Sequence, residues 1–210
     1  YASLYADARL WFREGWVDYL TPQLYWPISQ IPQSYPVLLA WWADQNVKDR
    51  HLWPGTSIGR ARNESGVKEI INQIMITRAI VPEGPGNTFF SMKTLMGNRG
   101  GLNDKLLEGP YSRRALIPEM DWLASSPPMS PDVETSLKDD KIKISWNPGC
   151  PREIFYWVIY AKVADGWSWE IFSMDTRSIE KDMSGIEYIA VSGVDRYGQE
   201  SPRTVSEITE

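Results

Sequence analysis

Apolar residues recur along the first half of the chain with two alternating periods. Leu4, Ala8, Trp11 and Phe12 fall at helical spacing over Leu4–Glu14, and Gly15 follows where such a helix stops. Trp16–Trp26 reads as a strand, with Pro22 and Pro27 confining its pairing near the end. Ser34 is placed to cap a helix that tolerates Pro36 in its first turn and buries Val37, Leu38, Trp41 and Trp42. His51–Pro54 is a short strand. Asn63 or Ser65 caps a helix through Val67, Ile70, Ile71, Ile74, Met75 and Ile80, and Asn87–Lys93 is a third strand. Leu102–Leu123 reads as a helical stretch interrupted by Gly109-Pro110 and by Pro118. Strands alternating with helices predict a parallel sheet with crossover helices.

The period then changes to two. Ile142, Ile144 and Trp146 alternate with Lys141, Lys143 and Ser145. Ile154–Val163, Trp167–Met174, Tyr188–Asp195 and Thr204–Ile208 are further short strands, set apart by Asn147-Pro148-Gly149, Asp165-Gly166 and Tyr197-Gly198. Short strands at turn-punctuated intervals predict a β-sandwich. Between the two patterns lies Ser125-Ser126-Pro127-Pro128-Met129-Ser130-Pro131, which suits neither helix nor central strand and reads as a linker.

Charge follows the same division. Residues 1–123 hold 13 Lys/Arg against 12 Asp/Glu, and residues 124–210 hold 9 against 15, giving the overall −5. With no basic cluster, a nucleic-acid surface is not expected. No apolar run approaches the ~20 residues of a membrane-spanning helix. One histidine, His51, excludes a multi-histidine metal site, and one cysteine, Cys150, leaves no internal disulfide. No metal or cofactor is expected. Tryptophan, at 11 residues, is the compositional outlier, which means core filling or the stacking of a ligand such as a sugar.

Two resemblances sharpen this picture. Pro128–Pro131, Ile142-Lys143-Ile144-Ser145-Trp146, Tyr156-Trp157-Val158-Ile159-Tyr160 and the run from Tyr188 to Pro202 fall in the order of a fibronectin type III domain, with Trp146 and Tyr188 at its buried aromatic positions. The run Gly15-Trp16-Val17-Asp18-Tyr19-Leu20-Thr21-Pro22-Gln23-Leu24-Tyr25-Trp26 resembles the glycosyl-hydrolase-like family ten. Tyr35, Leu39, Trp41-Trp42, His51-Leu52-Trp53-Pro54-Gly55 and Phe89-Phe90-Ser91-Met92-Lys93 continue that likeness. These are bacterial proteins with a (β/α)8 barrel, some acting on peptidoglycan glycan strands. The resemblance covers the last three βα units of such a barrel and leaves out the half where the family carries an acidic strand-end motif. It implies a multidomain chain: an α/β part of a TIM-type barrel over 1–123, a linker over 124–131, and an all-β sandwich over 132–210. It also implies an extracytoplasmic setting, a polysaccharide or oligosaccharide partner, and self-association through the open edges of a partial barrel.

In such barrels the site lies at the C-terminal ends of the strands. The expected strand ends present Gln23, Tyr25 and Trp26, then Trp53, Pro54 and Thr56, then Ser91, Met92 and Lys93. Gln23, Tyr25, Trp26, Trp53 and Lys93 are the candidate sugar-binding residues, suited to hydrogen bonding hydroxyls and stacking on a sugar face. None of these strand ends carries the carboxyl pair that glycoside hydrolysis requires. Asp18 falls toward the opposite end of its strand, and Glu64 starts a helix, so no catalytic residue is assigned. A chain of this content is not expected to catalyse by itself. A non-catalytic glycan-binding role and a surface scaffold built on the sandwich are the alternatives. Trp167 and Trp169 share one face of a sandwich strand, as a binding platform or as cover for a neighbour. Gly97-Asn98-Arg99-Gly100-Gly101 lacks the lysine-hydroxyl ending of a phosphate loop and is not read as a nucleotide site.

Overall fold

The structure is a computed structural model, described for residues 4–123, 126–149 and 154–208. Cys150 lies outside the described residues. The chain forms two compact units, Tyr1–Arg113 and Arg114–Glu210.

In the first unit, α1 spans Ala8–Glu14, starting where the Asp7 carboxylate accepts from the Leu10 N–H. It stops at Gly15, which adopts the left-handed conformation that glycine tolerates best. The strands are β1 (Tyr19–Leu20), β2 (His51–Leu52), β3 (Gly55–Ser57) and β4 (Thr88–Phe90), and every pairing is parallel. Tyr19 pairs with His51, a bridge joins Gln23 to Gly55, and Gly55 pairs in turn with Thr88. β2 and β3 are one run of chain, interrupted at Trp53-Pro54 because proline has no N–H to give the ladder. The strand expected to stop at Pro54 therefore continues to Ser57. The first expected strand is shorter than Trp16–Trp26. The third ends at Phe90, and residues from Met92 turn into a helix.

Helices cover one face of this ribbon. α2 (Tyr35–Asp44) connects β1 to β2, and α3 (Glu64–Ile80), capped by the Asn63 side chain on the Gly66 N–H, connects β3 to β4. Leu20, Leu24 and Leu52 pack with Phe12, Tyr35 and Leu39. Ile58 and Phe89 pack with Val67, Ile70 and Ile74 of α3. Leu102 and Leu106, from α5 (Leu102–Glu108), join the same cluster; α4 (Met92–Met96) precedes α5. The buried face of α2 is set by Tyr35 and Leu39, four residues apart. Val37 and Trp41, expected inside, are exposed, and Trp42 is half-buried against Phe12. An all-apolar helix has no polar face to fix its rotation from sequence, which is why that expectation fails.

The second unit is an antiparallel sandwich. β5 (Asp132–Lys138), β6 (Lys141–Asn147) and β9 (Ser178–Asp182) form one sheet in the order β5-β6-β9. β7 (Tyr156–Val163), β8 (Gly166–Ser173), β10 (Tyr188–Val194) and β11 (Thr204–Glu207) form the other in the order β11-β10-β7-β8. The core is drawn from alternate residues of both: Ile142, Ile144 and Trp146 face Trp157, Ile159, Ile189 and Val191. This is the two-sheet architecture that the fibronectin type III resemblance implies.

The four-stranded sheet also buries part of its outer face, where Val158, Tyr160, Ala190 and Val194 pack with Leu116. The Met120 N–H donates to the Tyr197 carbonyl. Gly198 has φ +80°, and a Cβ there would lie 2.9 Å from the carbonyl oxygens of Ile117 and Pro118. The stretch after Gly109, expected to continue as helix to Leu123, has no helix: Tyr111 packs on the α3 cluster, and from Arg114 the chain runs along the sandwich. The units accordingly divide between Arg113 and Arg114, ahead of the proline-rich 124–131 stretch.

A polar knot sits on the same outer face. The Glu200 carboxylate accepts from the Tyr160 hydroxyl at 2.6 Å and from the Ser192 hydroxyl at 2.7 Å, while the Arg203 guanidinium lies 3.9 Å from the Tyr160 ring centre. Burial alone would raise the Glu200 carboxyl pKa. The hydrogen bonds from Tyr160, Ser192 and Arg203 outweigh it and hold the group below its ordinary value. Burial and the Glu200 charge push Tyr160 up to about 12.

Two outcomes follow from these contacts. Trp146→Ala empties a fully buried site and is expected to destabilise the sandwich by about 3–5 kcal/mol, read as a lowered urea midpoint. Tyr160 holds its proton more tightly folded than unfolded, so its stabilisation is complete below about pH 10 and fades as pH rises toward 12. The urea midpoint of Tyr160→Phe should accordingly fall less between about pH 9.5 and 11.5 than that of the parent; parallel declines would remove Tyr160 from this role.

Candidate active site

Strand alternation sends Leu20, Leu52 and Phe89 toward the helices and their neighbours to the opposite face. There, His51 stacks on Trp53 with ring centres 4.9 Å apart, and Tyr19 stacks on Trp53 at 5.2 Å. His51 is buried, while Tyr19, Gln23 and Phe90 are exposed. The Trp53 indole N–H donates to the Gly84 carbonyl at 3.2 Å. A Cβ at Gly86 would lie only 2.5 Å from Trp53 Cδ1, so that loop closes over the indole only because residue 86 has no side chain. Trp53 is thus locked beside the N-terminal residues of β1 and β2, with β3 still to follow. It does not present itself at a strand end.

At the C-terminal ends the arrangement differs. Tyr25 stacks on Phe90 at 6.1 Å with a 30° angle between rings. Past them opens a cleft of about 280 Å³ lined by Ser57, Phe90, Ser91, Lys93, Thr94 and Arg99. Ser57 closes β3, Phe90 closes β4, and Lys93 lies in the first turn of α4 with its side chain exposed. Lys93 was expected at a strand end; the early end of β4 puts it on a helix instead.

The loop after β1 is held from below by α3. The Glu69 carboxylate accepts from the Ile28 N–H at 2.8 Å, and the Gln73 amide donates to the Trp26 carbonyl at 3.2 Å and to Glu69 at 3.0 Å. Trp26 is half-buried, fixed through its backbone. A second tie positions β4: the Asn87 amide donates to the Tyr35 and Thr77 hydroxyls, which lie 2.8 Å from each other. Burial pushes the Tyr35 phenol above its ordinary pKa despite these hydrogen bonds.

Of the five sequence candidates, Tyr25 and Lys93 stand at or beside the cleft, Gln23 lies on the open sheet face, Trp26 belongs to the clamped loop, and Trp53 is packed within the aromatic stack. Ser57, Phe90, Thr94 and Arg99 were not among the candidates. Phe90 was visible as the second ring of the Phe89-Phe90 pair, and strand alternation alone makes one of the two face away from the helices. Arg99 lies in the glycine-rich run considered only for nucleotides. None of the cleft-lining residues is an Asp or Glu. Asp18 is exposed before β1, where its carbonyl accepts from the His51 N–H, and Glu64 is the exposed first residue of α3. Among the described residues no group of three His, Cys, Asp or Glu side chains is placed to hold a metal ion, and no helix is long and apolar enough to cross a membrane.

Residues 1–64 match the family described as Glycosyl hydrolase-like 10. Over 173 residues the chain is 35% identical to glycosyl hydrolase YngK of Bacillus subtilis, covering 76% of this chain and 33% of that one. Glycosyl hydrolase DigH of Escherichia coli K12 is 36% identical over 101 residues, 43% of this chain and 23% of that one. The chain therefore spans about a third or less of the length of these relatives. The fibronectin type III domain of human collagen XX is similar over 40% of this chain and all of its own length, with 18% identity and a TM-score of 0.32.

Gly86→Ala is expected to expel Trp53 from its stack with His51 and Tyr19, costing about 1–3 kcal/mol and changing the near-ultraviolet circular dichroism of the aromatic cluster. An unchanged spectrum and midpoint would mean that the loop accommodates the methyl group.

Proposed function

We propose that the α/β unit forms part of the sugar cleft of an extracytoplasmic glycoside hydrolase acting on a polysaccharide, with peptidoglycan glycan as the first polymer to test. The observation that carries this reading is the position of the cleft. An aromatic ring, Phe90, backed by Tyr25, and the hydroxyls of Ser57, Ser91 and Thr94 converge at the C-terminal ends of parallel strands, where barrels of this kind place their sites. A sugar ring needs both: a flat apolar surface for its C–H face and polar groups at its rim. The kinship to proteins named glycosyl hydrolases supports the same class of reaction.

Glycoside hydrolysis needs two carboxyl groups roughly 5–9.5 Å apart. The cleft lining offers none, so the acid pair of the proposed enzyme is supplied from outside these 210 residues. Titration of the chain with peptidoglycan-derived oligosaccharides is expected to give saturable binding without release of reducing ends. Phe90→Ala should weaken that binding about 2- to 10-fold, the loss of one stacking contact of about 0.5–1.5 kcal/mol. Absence of binding to any glycan overturns the cleft assignment, and sustained turnover by the 210 residues overturns the origin of the acid pair. The lack of a carboxyl side chain in the cleft also favours a second reading, a non-catalytic glycan-binding protein. An Asp/Glu pair on upstream barrel strands of the same gene would decide against it.

A further inference from the structure

The cleft at the strand ends is cationic. Lys93 from α4 and Arg99 from the turn that follows both line it, together with the hydroxyls of Ser57, Ser91 and Thr94, and the lining contains no carboxylate. Among the described residues neither Lys93 nor Arg99 has an acidic oxygen within 4 Å. Asp104, the acid at the start of α5, is engaged elsewhere and accepts from the Asn98 amide at 2.7 Å. Two cations in one small concavity repel each other and favour an anion between them. A neutral sugar offers such a pair only hydroxyl acceptors. A carboxylate offers charge and, for arginine, two oxygens that match the guanidinium fork.

Resting on the glycan reading above, we infer that this cleft selects a sugar unit bearing a carboxylate, held by Lys93 and Arg99 while Phe90 stacks on its ring. At about 280 Å³ the cleft falls just under the ~300–1,000 Å³ of drug-sized pockets, a size suited to one ring and its charged substituent. The hydroxyls of Ser57 and Ser91 then serve the neutral edge of the ring. The carboxylate has two chemical sources in natural glycans, an ether-linked lactyl group or the C6 position of a uronic acid.

The test is calorimetric titration of the chain with two matched pairs of probes. N-acetylmuramic acid against N-acetylglucosamine differs by the lactyl carboxylate, and glucuronic acid against glucose differs by the C6 carboxylate. At least one acidic member is expected to bind about tenfold or more tightly than its neutral match, and the pair that shows the preference identifies the source. The preference should shrink as salt rises from about 20 mM to 0.5 M, because exposed charges are screened over about a Debye length. Lys93→Met and Arg99→Met should each cut it severalfold, and the double variant should bring the ratio close to one. Both side chains are exposed, so these variants keep the fold, which circular dichroism verifies. Equal affinity for acidic and neutral members, or a preference that survives in the double variant, overturns this inference and leaves the glycan reading standing. Failure of all four monosaccharides and of the longer oligosaccharides overturns both.

Discussion

The α/β unit depends on a three-strand junction at Gly55. Its backbone bonds to the chain just past β1 on one side, where the Gly55 N–H donates to the Pro22 carbonyl at 2.8 Å and its carbonyl accepts from the Leu24 N–H at 2.9 Å. On the other side it pairs in parallel with Thr88. Parallel neighbours cannot be joined by a tight turn, so each pairing obliges the chain to leave the sheet, cross over it and return. α2 and α3 are those crossings, and each buries apolar side chains because the returning chain has a sheet face to cover. The cleft inherits its position from the same junction, since the ladder carries Ser57 level with Phe90 and brings the two strand ends together.

Around this ladder, polar side chains do the positioning that apolar packing cannot. Apolar contacts are non-directional and leave a loop free to slide. Glu69 and Gln73 hold the loop after β1 by its backbone N–H and carbonyl, and Asn87 ties the approach to β4 to both α2 and α3. In the sandwich, Glu200 gathers donors from Tyr160, Ser192 and Arg203. The half-buried Glu200 carboxylate is tolerated there because all three donors converge on its Oε1 and replace the hydration that this oxygen loses.

Much of this was legible in the chain itself, for reasons visible in particular residues. The helix at Glu64–Ile80 carries a capping asparagine and a long 3.6-residue stripe, and β6 alternates without exception. Strands β5 and β9 are not legible in the sequence. They flank β6 in the smaller sheet, where Val133 and Ile179 are the apolar residues packed against the core and most neighbours are polar, so no strong period marks them. The cleft was half legible: the resemblance pointed to strand ends, but a proline at 54 read as a stop where the strand resumes one residue later. The aromatic content did not say which rings serve a ligand. Trp53 and Phe90 differ in exposure because one lies under a glycine loop and the other stands at the surface, a distinction of tertiary packing.

The stretch beginning at Arg114 has a consequence for how such proteins are assembled from parts. Leu116 closes an apolar cluster on the outer sheet face, and the chain near Pro118 passes so close to Gly198 that no other residue fits there without displacement. The heritable module is thus larger than its strands. A gene fusion that joins the sandwich at its first strand leaves behind the piece that seals it, whereas one made at the preceding arginines transfers a finished surface. Recombination breakpoints that survive selection should therefore fall upstream of the proline-rich stretch, where the helical unit ends and nothing of the sandwich has yet begun.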